Sequence, residues 1–257
     1  MPALEHARAL GHLRHLGWQP AAGAECLWRR GRQHHRSHHR HRNRRGHYPG
    51  VARGGVGVYV NGVKLDDSGA SSLAYAADGS TSAHALRLGQ QVRVEHDASG
   101  KASRVLVDAA VIGSVSSVNA TAGTLVVAAQ TVKINTDSAA GPVTVFAGGY
   151  TALADVLAAD LVEVHGTPVY NSTTAKYEVQ ATRIEKRTAV AEVRVTGKLS
   201  ALDATAKTFS LNGLSVAYGT ATLRPASAVL ANDQNVIVWS KTYTSGTGLT
   251  ASGVRVV

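Results

Sequence analysis

The sequence predicts an all-β protein of three tandem units, and three observations carry that expectation. A long motif recurs, Asn-Gly pairs sit between runs of alternating apolar residues, and only 5% of the 257 residues are aromatic. The motif Gly113-Ser-Val-Ser-Ser-Val-Asn-Ala-Thr-Ala-Gly-Thr-Leu125 matches Gly197-Lys-Leu-Ser-Ala-Leu-Asp-Ala-Thr-Ala-Lys-Thr-Phe209, 84 residues later. Val58–Leu65 matches Phe209–Val216 through a shared Asn-Gly. Gln91–Glu95, Leu161–His165 and Asn235–Trp239 form a third set. A core built mainly from Val, Ala and Thr favours thin β-layers over a deep aromatic pocket.

Within each unit, period-two apolar runs of four to eight residues read as half-buried strands. Asn61-Gly62 and Asn212-Gly213 read as two-residue hairpin turns, because a type I′ turn needs positive φ at both central positions. Phe209, Leu211, Leu214 and Val216 then face the core. In the middle unit Ala128-Ala129-Gln130 replaces the dipeptide and predicts a looser turn. Short helix-like pieces are expected at 83–88, 151–157 and 225–230, each followed by a stop residue (Gly89, Asp160, Asn232). The order strand, strand, strand, short helix, strand, strand is that of a small OB-like five-stranded barrel. The expected division is a disordered segment at 1–53, then OB-like barrels at 54–109, 110–190 and 191–257. The first of these lacks a recognisable opening strand.

Charge separates the two parts. Residues 1–53 contain 11 Arg, no Lys, two Glu and nine of the 12 His, so nearly all of the net +10 resides there. The remainder is close to neutral. Cys26 is the only cysteine, which excludes an internal disulfide and a multi-cysteine metal site. No apolar run approaches the ~20 residues of a membrane-spanning helix. As written, Ala7–Trp18 contains Arg8, His12, Arg14 and His15 and makes no signal peptide.

The runs Gly57-Val-Tyr-Val-Asn-Gly-Val-Lys-Leu65, Leu86-Arg-Leu-Gly-Gln-Gln-Val-Arg-Val94 and Gly123-Thr-Leu-Val-Val-Ala-Ala-Gln-Thr-Val-Lys-Ile134 resemble the bacterial repeat family catalogued as domain of unknown function 5666. The resemblance covers about 54–257 and rests on turns and strand patterns. It implies OB-like repeats in secreted or lipid-anchored proteins of the cell envelope. It brings no catalytic residues.

A leader and lipid-anchored cysteine are expected where Arg29–Arg45 stands instead. That run fits three readings. It is a basic tail, a metal- or nucleic-acid-binding segment through its His and Arg, or a leader and linker translated in a shifted frame. For the last, CAC and CGC codons read one base later encode Thr and Ala. Gln33–Asn43 then becomes a Thr/Ala linker, and Glu25–Gly31 becomes a lipobox-like Ser-Ala-Cys-Gly.

Beyond residue 53 the histidines are His84, His96 and His165, with His96 and His165 expected as isolated rim positions. Glu95 and Glu163 occupy equivalent repeat positions, expected on a solvated strand face. No nucleophile, phosphate-loop or zinc-protease motif occurs. No catalytic residue, metal ligand or cofactor is therefore assigned.

The candidate binding patch is Tyr218, Trp239, Lys241 and Tyr243, because stacking on single-stranded nucleic acid needs aromatics beside cations. The expected function is a non-catalytic envelope module of structural, adhesive or binding character, contacting an envelope protein or polysaccharide. The alternative is a single-stranded nucleic-acid-binding protein that uses the basic tail and this patch.

Overall fold

The computed structural model describes residues 49–51, 58–60, 63–244 and 248–257. The Arg/His-rich run, Cys26 and the Asn61-Gly62 turn lie outside the described residues. Among those described, regular structure is β-strand and one 3-10 turn, with no α-helix.

The first seven strands are β1 (Pro49–Val51), β2 (Val58–Val60), β3 (Val63–Leu65), β4 (Ser71–Tyr75), β5 (Thr81–Ala83), β6 (Gln91–His96) and β7 (Ala102–Val107). β6 lies antiparallel between β1 and β7. β4 runs parallel to β7 and forms a hairpin with β5, while β2 and β3 form a second hairpin. Val58, Val60, Leu65, Val92, Val94, Val105 and Val107 make a small separate core. The expected absence of an opening strand is corrected here. Pro49–Val51 pairs with Gln91–Arg93, so the first unit begins before residue 54.

The next strands are β8 (Val111–Asn119), β9 (Thr124–Val127), β10 (Gln130–Lys133), β11 (Val145–Ala147), β12 (Leu161–Asn171) and β13 (Lys176–Arg187). β8 pairs with β9, β9 with β10, β10 in parallel with β13, β13 with β12, and β12 with β8. These pairings close a five-stranded barrel. Its repeat motif has a direct physical role: the Asn119 side chain accepts the Ala122 N–H at 3.0 Å, and the equivalent Asp203 accepts that of Ala206 at 2.8 Å. Such local bonds are why Asn and Asp hold turns.

The last strands are β14 (Val193–Asp203), β15 (Thr208–Leu211), β16 (Leu214–Ala217), β17 (Thr222–Arg224), β18 (Asn235–Ser240), β19 (Tyr243–Thr244), β20 (Gly248–Thr250) and β21 (Gly253–Val256). β14 pairs with β15 and β18, β15 with β16, and β16 in parallel with β20. β21 lies between β18 and β17. β14 also pairs with β8, through Arg194↔Ile112 and Val195↔Val111. One continuous apolar cluster runs from Ala110 to Val254. The division expected at 190/191 therefore separates two sets of strands but not two cores.

The Asn212-Gly213 turn is as expected, with φ of 50° and 88°. Phe209, Leu211, Leu214 and Val216 are all buried. Ala128-Ala129 is not looser, since φ values of 46° and 60° and the Val127↔Gln130 pair make it the same tight turn.

Short helices in every unit are likewise corrected. Only Leu153–Asp155 winds, as a 3-10 turn, with Asp155 accepting the backbone N–H groups of Thr151 and Ala152. In all three units one side chain just before the fourth strand accepts a backbone N–H of the preceding turn. Gln90 accepts the Arg87 N–H at 2.8 Å, and Gln234 accepts that of Ala231 at 3.0 Å. Asp160 does the same for Leu157 at 2.9 Å. A side chain that satisfies these donors removes the need for a further helical turn.

A Cβ on Gly213 would meet only the Lys176 side chain, at 3.7 Å. Any cost of substitution there is therefore backbone strain. Gly213→Val should destabilise by about 1–3 kcal/mol. Ala129→Gly should be neutral or stabilising by up to ~1 kcal/mol, because it relieves a left-handed alanine. Denaturant midpoints of the two variants check this; an unchanged midpoint for Gly213→Val contradicts it.

Candidate functional site

Two places gather polar side chains. The first is the seam between the first unit and the other two. β12 presents Glu163 and His165 outward from the barrel, and β13 presents Thr182, Arg183, Glu185 and Arg187 beside them. The loop before β6 covers this face. Thr182 Oγ1 donates to the Gly89 carbonyl at 2.6 Å, and Arg183 Nη1 to that of Leu88 at 3.0 Å. A Cβ on Gly89 would lie 2.5 Å from the Thr182 carbonyl oxygen, so only glycine permits this approach.

His165 is 0% exposed. The Gln91 N–H donates to its Nδ1 at 3.3 Å, so Nε2 carries the ring proton and donates to Glu163 Oε1 at 2.9 Å. Burial opposes charge on Glu163, but the His165 hydrogen bond and the Arg187 guanidinium outweigh it. They hold the carboxyl well below its ordinary range. Burial likewise pushes the nearby His84 down. The expectations of a rim histidine and a solvated glutamate at 165 and 163 are thereby corrected. Both faced water in the sequence reading because strand alternation cannot reveal a second unit lying on the outer face.

Beside them Asp108, at the end of β7, receives Arg93 Nη2 at 2.9 Å and Arg194 Nη2 at 3.0 Å. Arg194 lies on β14 and over the Trp239 ring, 5.5 Å from its centroid. Trp239 is only 4% exposed. Tyr218 instead packs on Phe209 with ring centroids 5.5 Å apart, and both Tyr218 and Tyr243 rest on the barrel core. Lys241 is exposed after β18. The four residues expected as one binding patch therefore do not form a shared stacking surface. Trp239 is sealed in the seam, outside the barrel core that Tyr218 and Tyr243 pack against.

The second place is open. The arms of the β12–β13 hairpin run past the barrel, and only the first four residues of β12 pair with β8. Here a cleft of about 310 Å³ is lined by Lys133, Val169, Tyr170, Asn171, Glu178 and Gln180, with Ser172 at the turn. Tyr170 pairs directly across from Tyr177, which puts both side chains on the hairpin face opposite Asn171, Glu178 and Gln180. Their rings meet edge-on at 5.3 Å, yet the residues remain 55% and 37% exposed. The hairpin is held from outside by Asn212, which accepts the Tyr177 N–H at 2.9 Å and donates to its carbonyl at 2.6 Å. Asn171 donates to Glu178 Oε1 at 2.7 Å and Gln180 to the Lys133 carbonyl at 3.1 Å, which orients both amides. Pro168 on the exposed edge of β12 obstructs addition of another strand. Tyr170 and Tyr177 are not among the residues that the sequence singles out. Their Cα pairing follows from the tight turn between them and was the available signal.

Among the described residues, no group of three or more His, Cys, Asp or Glu side chains is placed to hold a metal ion. No helix there is long and apolar enough to cross a membrane. No family model, curated protein or solved structure matches the chain.

The seam makes a pH prediction. Because the Glu163 carboxyl is depressed in the folded protein, its contribution is present above the unfolded value near 4.5 and lost as pH falls below it. Glu163→Gln keeps an acceptor for His165 without the charge. The variant should be destabilised at pH 7 by roughly 1–3 kcal/mol, and the gap to wild type should close between about pH 5 and about pH 2. Thermal unfolding across that range checks it; a gap that stays constant with pH contradicts it.

Proposed function

We propose that the chain is a non-catalytic binding module of the bacterial cell envelope, built of three OB-like barrels. In this reading it contacts envelope polysaccharide through the exposed end of the β12–β13 hairpin. The observation that carries the reading is the exposed Tyr170–Tyr177 pair, on a hairpin whose other face presents the oriented amides of Asn171 and Gln180. Sugar rings offer apolar C–H faces and equatorial hydroxyls. Aromatic faces and amide or carboxylate groups complement these together. The charged lining side chains are one Lys and one Glu, which suits an uncharged ligand better than a phosphate backbone.

The three-barrel reading draws support from the recurrence of one pairing scheme. In each unit the opening strand is antiparallel to the fourth, and a strand after the hairpin is parallel to the fifth. The envelope location rests on the resemblance carried by Gly57–Leu65, Leu86–Val94 and Gly123–Ile134. The non-catalytic reading rests on the buried acid–base pair: the His165 and Glu163 side chains are 1% and 10% exposed, too enclosed for a substrate to reach. The nucleic-acid alternative loses its central platform with Trp239 buried.

Calorimetric titration of the full chain with neutral oligosaccharides released from envelope polysaccharide tests the proposal. Tyr170→Ala with Tyr177→Ala should weaken binding at least tenfold, ~1.4 kcal/mol. The thermal midpoint should change little, since both rings are exposed. Equal affinity in the double variant, or submicromolar binding of single-stranded DNA at physiological salt, overturns it.

A further inference from the structure

The seam between the first and last units holds a second feature, which the saccharide reading does not use. Arg224 of β17 and Arg255 of β21 are direct partners in a parallel pair, so their side chains leave the same face of the sheet side by side. The turn after β4 sits on both. Arg255 lies over the Tyr75 ring, 3.9 Å from its centroid. Arg224 lies flat against Gly79, where a Cβ would come within 2.4 Å of its Nε. Both guanidiniums are thus fixed in place, one on an aromatic face and one on bare backbone.

Two features of this pair are unresolved within the chain. None of the ion pairs among the described residues includes Arg224 or Arg255. The Nε atoms of both are buried and without a hydrogen-bond partner there. Asp78 is the carboxylate that feels Arg224, and it is spent on its own turn, accepting the Ser80 N–H at 2.8 Å. Two like charges directly across a strand pair repel. A pre-organised pair of guanidiniums without a carboxylate partner is the arrangement that recognises an oxyanion.

We infer that Arg224 and Arg255 together form a binding site for a tetrahedral oxyanion of the phosphate class, at the junction of the Ala76–Ser80 turn with β17 and β21. The anion offers several acceptor oxygens to two guanidiniums at once and cancels their mutual repulsion. Occupancy would also strengthen the contact between the first and last units, since a ligand that binds only the folded arrangement stabilises it. Free phosphate and a lipid phosphate headgroup present the same chemistry to this pair.

Line broadening of the 31P resonance of inorganic phosphate on adding the full chain, at constant ionic strength set with chloride, tests the site. Broadening should be clear at millimolar phosphate with wild-type protein. Arg224→Gln and Arg255→Gln should each weaken binding at least tenfold, while Arg104→Gln, on an exposed strand position far from the pair, should not. Arg224→Lys keeps the charge and guards against a folding defect; it should bind more weakly than wild type with an unchanged circular dichroism spectrum. Vesicles with and without phosphatidic acid distinguish the sources. Cosedimentation that phosphate competes away assigns the headgroup, and its absence alongside phosphate binding assigns the free ion. Absence of broadening in wild type, or equal broadening in both glutamine variants, overturns the inference. Neither result bears on saccharide binding at Tyr170 and Tyr177.

Discussion

One carboxylate, Asp108, is the group on which the arrangement of the whole chain depends. It ends the last strand of the first unit and is gripped from two sides, by Arg93 of its own unit and Arg194 of the last. Three residues later the chain enters β8, whose first residues pair with both β12 and β14. Backbone bonds converge at the same spot: the Ala110 N–H donates to the Val164 carbonyl, and the Thr196 N–H donates to that of Ala110. All three units therefore meet within a few residues of Asp108. A buried pair of this kind is weak as a source of stability but severe when broken, because the partner left behind is an unpaired buried charge. Its value here is registry.

The rest of the seam follows the same logic. The first unit has a small core of its own, so it gains little from apolar docking alone. What fixes it is polar and directional: Thr182 and Arg183 on the Leu88–Gly89 carbonyls, His165 on the Gln91 N–H, and Arg255 on Tyr75. Units two and three differ, sharing one strand ladder and one apolar cluster. The open cleft sits away from this seam, on a hairpin whose position is set by Asn212 of the neighbouring unit. The turn residue chosen for its left-handed backbone also anchors the tyrosines.

Much of the strand order was legible because it depends on local signals. Asn212-Gly213 announces its turn through backbone chemistry, and Phe209 to Val216 announce their face through period two. The Asn119 and Asp203 motifs recur because each must satisfy the same turn donors. What depends on neighbours was not legible. Glu163 and His165 alternate like solvated residues, and nothing in their own strand records that Gly89 and Gln91 lie on top. Ala128-Ala129 hid a tight turn behind residues that disfavour it, since strand pairing on both sides imposes the geometry. The helical pieces failed for a related reason: Gln90 and Gln234 take over turns that composition alone marks as helical. Trp239 was placed with the surface aromatics, although its strand is buried on both faces. The hairpin tyrosines drew no attention because neither is unusual until paired.

The claim that Asp108 holds the first unit in register with the other two is tested most directly by hydrogen exchange on Asp108→Asn. This change removes the charge while keeping the size. The account predicts selective loss of amide protection in Val92–Val94 and Val105–Val107, with exchange there at least tenfold faster, while Leu199, Leu211 and Val238 keep theirs. Unchanged protection throughout, or equal loss in all three units, would contradict it.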